Sequence, residues 1–95
     1  MARWKKPTKE EILENRRTLA ERARTGHLRL PGAVAEIRKG FGMTQEEFAK
    51  TLGLTRRQVA EMEAGTANPT LETLDKIGRL FGFGVGFIPK QSSPT

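Results

Sequence analysis

The stretch TQEEFAKTLGLTRRQVAEMEAGTANPTLETL, residues 44–74, decides how this chain folds. Thr44 and Glu47 stand at the Ser/Thr-x-x-Glu spacing in which each side chain bonds the other residue's backbone N–H, so a helix opens here. Phe48, Ala49 and Leu52 then share one helical face, and Gly53 ends it by permitting the positive φ of a turn. Thr55 starts another helix only two residues later, with Val59 and Met62 inward and Gly65 at its end. Asn68-Pro69 marks a turn. Thr70 and Thr73 flank the start of a third helix, where Leu71, Leu74, Ile77, Leu80 and Phe81 recur at helical spacing. Ala49 is small enough for its helix and the next to approach closely. Two helices joined by a short Gly turn form a single supersecondary unit.

Upstream of that unit, Pro31 suits a helix start, Val34 and Ile37 supply an inward face, and Gly40 and Gly42 break the helix. Thr8 and Glu11 repeat the capping spacing and open a helix over residues 8–25, which Gly26 closes after Thr25. Its apolar stripe, Ile12, Leu19 and Ala23 flanked by Leu13 and Ala20, is thin, and Arg16, Arg17, Arg22 and Arg24 load the rest. Such a helix must lean on another surface, because isolated helices of this length are marginal in water. Leu28 and Leu30 alternate in a short extended link to Pro31. Residues 1–7, MARWKKP, read as a flexible basic tail whose Trp4 either packs on the body or anchors a partner.

Downstream of Phe81 the period changes from 3.6 to 2. Phe83, Val85 and Phe87 alternate with Gly84 and Gly86, until Ile88 and Pro89 end the run. That pattern predicts a β-strand with one apolar face and one nearly bare face. A lone strand cannot satisfy its own backbone groups. The expected partner is the same strand of a second copy, antiparallel about a twofold axis near Val85, with Phe83 opposite Phe87. The alternative is a tail whose phenylalanines patch the domain's own core.

At 95 residues the chain has room for one small domain. Charged residues make up 29% and mean hydropathy is −0.55. Without Cys there is no disulfide, thiolate nucleophile or cysteine zinc site. No run of eighteen apolar residues spans a membrane, and no apolar segment follows the basic N-terminus to make a secretory signal, so a cytoplasmic location is expected. One histidine (His27), one aspartate (Asp75), no tyrosine and no phosphate-binding Gly-rich loop argue against an enzyme, and no cofactor or metal is expected. The net charge is +6 and the pI about 10.3. Residues 1–30 hold nine Lys/Arg against four Glu, whereas residues 31–95 hold eight against seven acids. A basic excess of this kind attracts polyanions, nucleic acid being the commonest.

Residues 32–82 resemble the lambdoid repressor/Cro family of helix-turn-helix domains, often called the Xre family. The resemblance is carried by Ile37-Arg38, Met43-Thr44-Gln45-Glu46-Glu47-Phe48-Ala49, Leu52-Gly53-Leu54-Thr55, Val59, Met62-Glu63, Gly65 and Asn68-Pro69-Thr70-Leu71-Glu72-Thr73-Leu74. It implies an all-α, lambda-repressor-like bundle, here with an extra N-terminal helix and the C-terminal strand. Thr44 and Gln45 begin a helix, where backbone N–H groups and the dipole favour a phosphate, and the resemblance implies that Gln45 contacts the DNA backbone. Thr55 plays the same part for the next helix. With Val59 and Met62 inward, Arg57, Ala60, Glu61 and Ala64 turn outward, flanked by Arg56 and Gln58 at the end that enters the major groove in this fold. By resemblance Arg56, Arg57 and Glu61 read bases, arginine being the residue that bonds guanine bidentately. The alternative is an exposed face kept charged for solubility. Glu61 departs from the basic or amide residue of many relatives; it accepts from cytosine or orients Arg57. The resemblance also implies that Arg38 and Glu63 form an internal structural ion pair.

A domain of this type running directly into LFGFGVGFIPK is similar to HipB-type antitoxins, which bind operator DNA as dimers and neutralise a toxin. The chain therefore divides into a basic tail and helix (1–30), a helix-turn-helix DNA-binding domain (31–82), a dimerisation strand (83–88, carried by Phe83, Val85 and Phe87) and a flexible tail (89–95). The expected function is that of a homodimeric, sequence-specific repressor on a palindromic double-stranded operator, autoregulating a toxin–antitoxin operon. Its expected partners are that DNA, a second copy and a cognate toxin, with no membrane. The alternative is a protein-interaction module in which DNA binding is secondary.

Overall fold

Four of the five helices among the described residues start on a threonine. A computed structural model describes residues 5–90; Trp4 with the start of the expected basic tail, and residues 91–95, lie outside the described residues. The helices are α1 (Lys9–Arg24), α2 (Gly32–Gly40), α3 (Gln45–Leu52), α4 (Arg56–Ala64) and α5 (Leu71–Phe81). Thr8, Thr44, Thr55 and Thr70 each accept the backbone N–H three residues on, satisfying a donor that has no partner inside the helix. Glu11, Glu47 and Gln58 return a side-chain bond to their threonine's N–H and complete three capping boxes. Only α2 starts otherwise, behind Pro31 and without a side-chain cap. Gly53 and Gly65 end α3 and α4 in the left-handed region, at φ 71° and 78°, which a side chain would strain.

The core lies where α2, α3, α4 and α5 meet. Phe48 and Val59 are completely buried, with Val34, Ile37, Ala49, Leu52, Met62 and Ile77 around them. Phe81 stacks on Phe48 at 5.4 Å between ring centres and meets Phe41 edge-on at 4.8 Å, so the last helix is fixed to α3 by an aromatic chain. The α5 stripe is narrower than its sequence period suggests. Ile77 is buried and Phe81 half-buried, but Leu71 and Leu80 face solvent, because only one side of α5 is covered by the body.

Helix α1 leans on α2. Leu19 is buried in the shared core, and its Cδ1 occupies the space a side chain on Gly40 would need. Asn15 donates to the Gly40 carbonyl at 3.2 Å, and Arg22 holds Glu36 with bonds of 2.7 and 3.1 Å. Arg16 lies over the Phe41 ring at 5.6 Å. Ile12, Ala20 and Ala23 are half-buried, whereas Leu13 is exposed. Ahead of α1, Pro7 packs on Gly42 in the turn before α3. Pro7 and Lys6 are thus docked on the body rather than loose.

The expected strand over 83–88 is not formed. Residues 83–90 carry no regular secondary structure, and there is no strand among the described residues. A strand requires a second one to receive its N–H and C=O groups, and a helical body offers no sheet edge. Instead the Phe83 N–H bonds the Gly78 carbonyl at 2.8 Å and Phe83 packs half-buried against the core. Gly78 makes this possible, since a Cβ there would strike the Phe83 carbonyl oxygen. Val85, Phe87 and Ile88 remain exposed; Val85 and Ile88 rim an apolar groove of about 450 Å³ that is floored by Val34, Ile37 and Ile77. No helix among the described residues is long and apolar enough to cross a membrane.

Candidate nucleic-acid interface

The turn Gly53–Thr55 sets the N-terminus of α4 outward while Val59 and Met62 hold its inner side in the core. Arg56, Arg57 and Gln58 are exposed in the first turn of α4; Ala60 and Glu61, expected outward, are half-buried. Arg57 reaches one turn on to Glu61, Nε to Oε2 at 3.3 Å, with its side chain 87% exposed. This is a weak, solvent-screened pair, so it restrains the guanidinium without burying it. Gln58 is differently occupied. Its carbonyl oxygen accepts the Thr55 N–H at 2.9 Å in the capping box, which leaves less of it for an outside partner. The Thr-x-x-Gln spacing carried that signal in the sequence.

Behind this end of α4 lies the N-terminus of α3. Arg38, Lys39, Thr44, Gln45, Glu46 and Arg56 line one shallow groove, so the first residues of α3 and of α4 border the same surface. Lys39 is a residue that sequence reasoning missed. It follows Arg38 in the last turn of α2, just before the turn that leads to Thr44, and the packing of α2 against α4 brings it to the groove that Arg56 also lines.

A buried ion pair underpins the groove. Arg38 donates to Glu63 at 2.6 and 3.1 Å and to the Met43 carbonyl at 2.9 Å. The two side chains are only 8% and 9% exposed. Gln45 joins them, its Nε2 donating to Glu63 Oε1 at 3.0 Å. Burial pushes the Glu63 carboxyl up, but the bonds from Arg38 and Gln45 outweigh it and hold the group below its usual value. Helices α2, α3 and α4 are thereby tied at one carboxylate. A primary amide has two donor hydrogens, and this bond uses one of those on Gln45.

At the α3 N-terminus Glu47 and Thr44 cap each other, with bonds of 2.8 and 3.1 Å. Lys6 bonds both Glu47 oxygens at 2.6 and 2.8 Å and the Gly42 carbonyl at 3.2 Å. That lysine, and next the Thr44 N–H, lower the Glu47 pKa to about 2. The N–H groups of Gln45 and Glu46 have no partner inside the helix, and with the dipole they face outward as donors for an anion. Such an arrangement of guanidinium groups, ammonium and backbone N–H groups can hold a phosphodiester chain and present two arginines to base edges. The described residues include no group of three or more His, Cys, Asp or Glu placed to hold a metal ion. Phe83 and Val85 line the apolar groove rather than this surface, and Phe87 is exposed.

A protein-family model described as Helix-turn-helix matches residues 34–88. An uncharacterized HTH-type transcriptional regulator of Archaeoglobus fulgidus is 44% identical over 48 residues, which are 50% of this chain and 69% of that protein. One from Methanothermobacter thermautotrophicus is 39% identical over 49 residues, 52% of this chain and 71% of its own length. The Bacillus subtilis regulator YgzD, likewise uncharacterized and HTH-type, is 42% identical over 48 residues, 50% of this chain and 73% of its own. No solved structure matches the chain.

Proposed function

The chain belongs to the helix-turn-helix family, and on that premise we propose that it is a sequence-specific DNA-binding transcriptional regulator that acts as a homodimeric repressor. The observation that carries this reading is the shared groove, in which the exposed arginine end of α4 adjoins the donor end of α3. Gln45, with Thr44, Lys39 and the α3 N–H groups, holds the phosphate backbone and sets the register. Thr55 does so for α4, while Arg56 and Arg57 enter the major groove and read bases, with Glu61 steering Arg57. Gln58 serves chiefly as the cap of the reading helix.

Two copies are required, because one such unit reads few base pairs and a palindromic operator presents half-sites about 34 Å apart. The exposed Val85, Phe87 and Ile88, with Leu80 on α5, support a twofold interface at the C-terminal end. The LFGFGVGFIPK run supports the finer reading that the protein is the autoregulating antitoxin of a toxin–antitoxin operon.

Footprinting on the DNA upstream of its own gene tests the proposal. Arg56→Ala and Arg57→Ala should each relax discrimination by about 1–3 kcal/mol where the arginine contacts guanine. Gln45→Ala should weaken binding to all sequences alike. An Arg56→Ala/Arg57→Ala double variant that footprints as well as wild type would refute the assigned face. Truncation after Gly82 should give a monomer in sedimentation and lose operator affinity.

A further inference from the structure

Three features of the molecule stand outside the DNA-reading helices: the apolar groove under the C-terminal segment, the half-exposed Arg22–Glu36 pair, and the contact of Lys6 with Glu47. The last carries an inference, which rests on the DNA-binding reading. We propose that Lys6 is a positioning residue for DNA: by neutralising the Glu47 carboxylate at the N-terminus of α3, it lets that end accept a phosphate.

The helix end already holds an anion of its own. Glu47 is the third residue of α3, and its Oε1 lies 2.8 Å from the Thr44 nitrogen, at the mouth from which the N–H groups of Gln45 and Glu46 point. A DNA phosphate received by those groups would come within one Debye length of the carboxylate, about 8–10 Å at ordinary salt, and be repelled by it. Glu46 adds a second negative charge beside it. The fold answers with a cation from far away in sequence. Pro7 packs on Gly42, and Lys6 spans both Glu47 oxygens and the Gly42 carbonyl, a contact made across 41 residues. Helix α1, anchored by Leu19 and by Arg22 on Glu36, holds this segment where the turn before α3 can receive it. The N-terminal helix therefore has a stated use. It carries a lysine to the phosphate-binding end of a domain whose own capping acid opposes phosphate.

Lys6 is about half exposed and fully engaged by Glu47. Its effect is charge balance rather than a bond to DNA, and this separates two measurable consequences. Removing Lys6 uncovers the Glu47 charge, so affinity falls, and it falls most at low salt, where the repulsion of phosphate is least screened. Removing the acid as well should restore affinity although the contact is still absent.

The test is fluorescence-anisotropy titration of the full chain on two duplexes: the region upstream of its own gene and a random sequence of equal length. At about 0.1 M salt, Lys6→Ala should weaken binding to both by about three- to tenfold, with the difference shrinking as salt rises. Lys6→Arg should retain wild-type affinity. Lys6→Ala/Glu47→Gln should return to within about twofold of wild type, glutamine at this position still completing the capping box. A double variant as weak as Lys6→Ala would show that Lys6 bonds DNA directly or acts by docking the segment, and would overturn the inference. Lys6→Ala binding like wild type would overturn it too, while leaving the DNA-binding reading intact. Wild-type protein that binds neither duplex would refute that reading and this inference together.

Discussion

Glu63→Ala should be among the most damaging single substitutions in this chain, although Glu63 is neither apolar nor on the outer face of α4. Arg38 and Glu63 are more than nine-tenths removed from solvent at their side chains, and Arg38 keeps three hydrogen bonds, two to Glu63 and one to the Met43 carbonyl. With the carboxylate gone, the guanidinium retains only Met43, and Gln45 loses its acceptor. Leaving one charge of a buried pair uncompensated costs about 3–5 kcal/mol. Against a total stability of about 5–15 kcal/mol this is a large fraction, and the melting temperature should fall by at least about 12 °C. Urea unfolding followed by far-ultraviolet circular dichroism reads it, as a lower midpoint with an unchanged slope. The double variant Arg38→Met/Glu63→Leu should recover most of the loss, since a packed apolar pair needs no counter-charge. A loss for Glu63→Ala below about 1 kcal/mol, the scale of an exposed pair, would refute the reasoning by showing that both groups are solvated in the folded state.

Acid titration should single out Glu47, whose folded pKa is held near 2 by Lys6 and the Thr44 N–H, against an ordinary 4.5. Because the folded value is the lower one, its contribution to stability is complete above about pH 4.5 and lost as pH falls toward 2. Carboxyl NMR would observe the low value directly; Lys6→Ala should move it upward, and a wild-type midpoint near 4.5 would contradict the ion pair. Gly78→Ala should destabilise by about 1–3 kcal/mol and loosen the C-terminal segment, since the new methyl meets backbone that cannot be repacked locally. Gly32→Ala, with open space at its Cβ, is the matched control and should be neutral or stabilising by up to about 1 kcal/mol in thermal melts.

Most helix boundaries were legible in the sequence because they are set by contacts three or four residues apart. The threonine caps at 8, 44, 55 and 70 and the stops at Gly53 and Gly65 depend on nothing outside their own turns. The inward faces of α2, α3 and α4 followed from period alone, as did the outward position of Arg56 and Arg57. The exposed Leu71 and Leu80 did not, because a helical period names a stripe without saying how much of it a neighbour will cover. The strand over 83–88 was read from an alternation that is real, but alternation gives a strand only where a second one accepts its bonds, and the described chain provides none. The tertiary structure decided which distant groups meet. Lys39 beside Arg56, Gln45 on the carboxylate of Glu63, Phe83 over Gly78 and Lys6 on Glu47 each depend on how one helix or segment crosses another. Local propensity fixes where a turn begins and ends. It carries no information about crossing angles, which follow from packing the whole core at once.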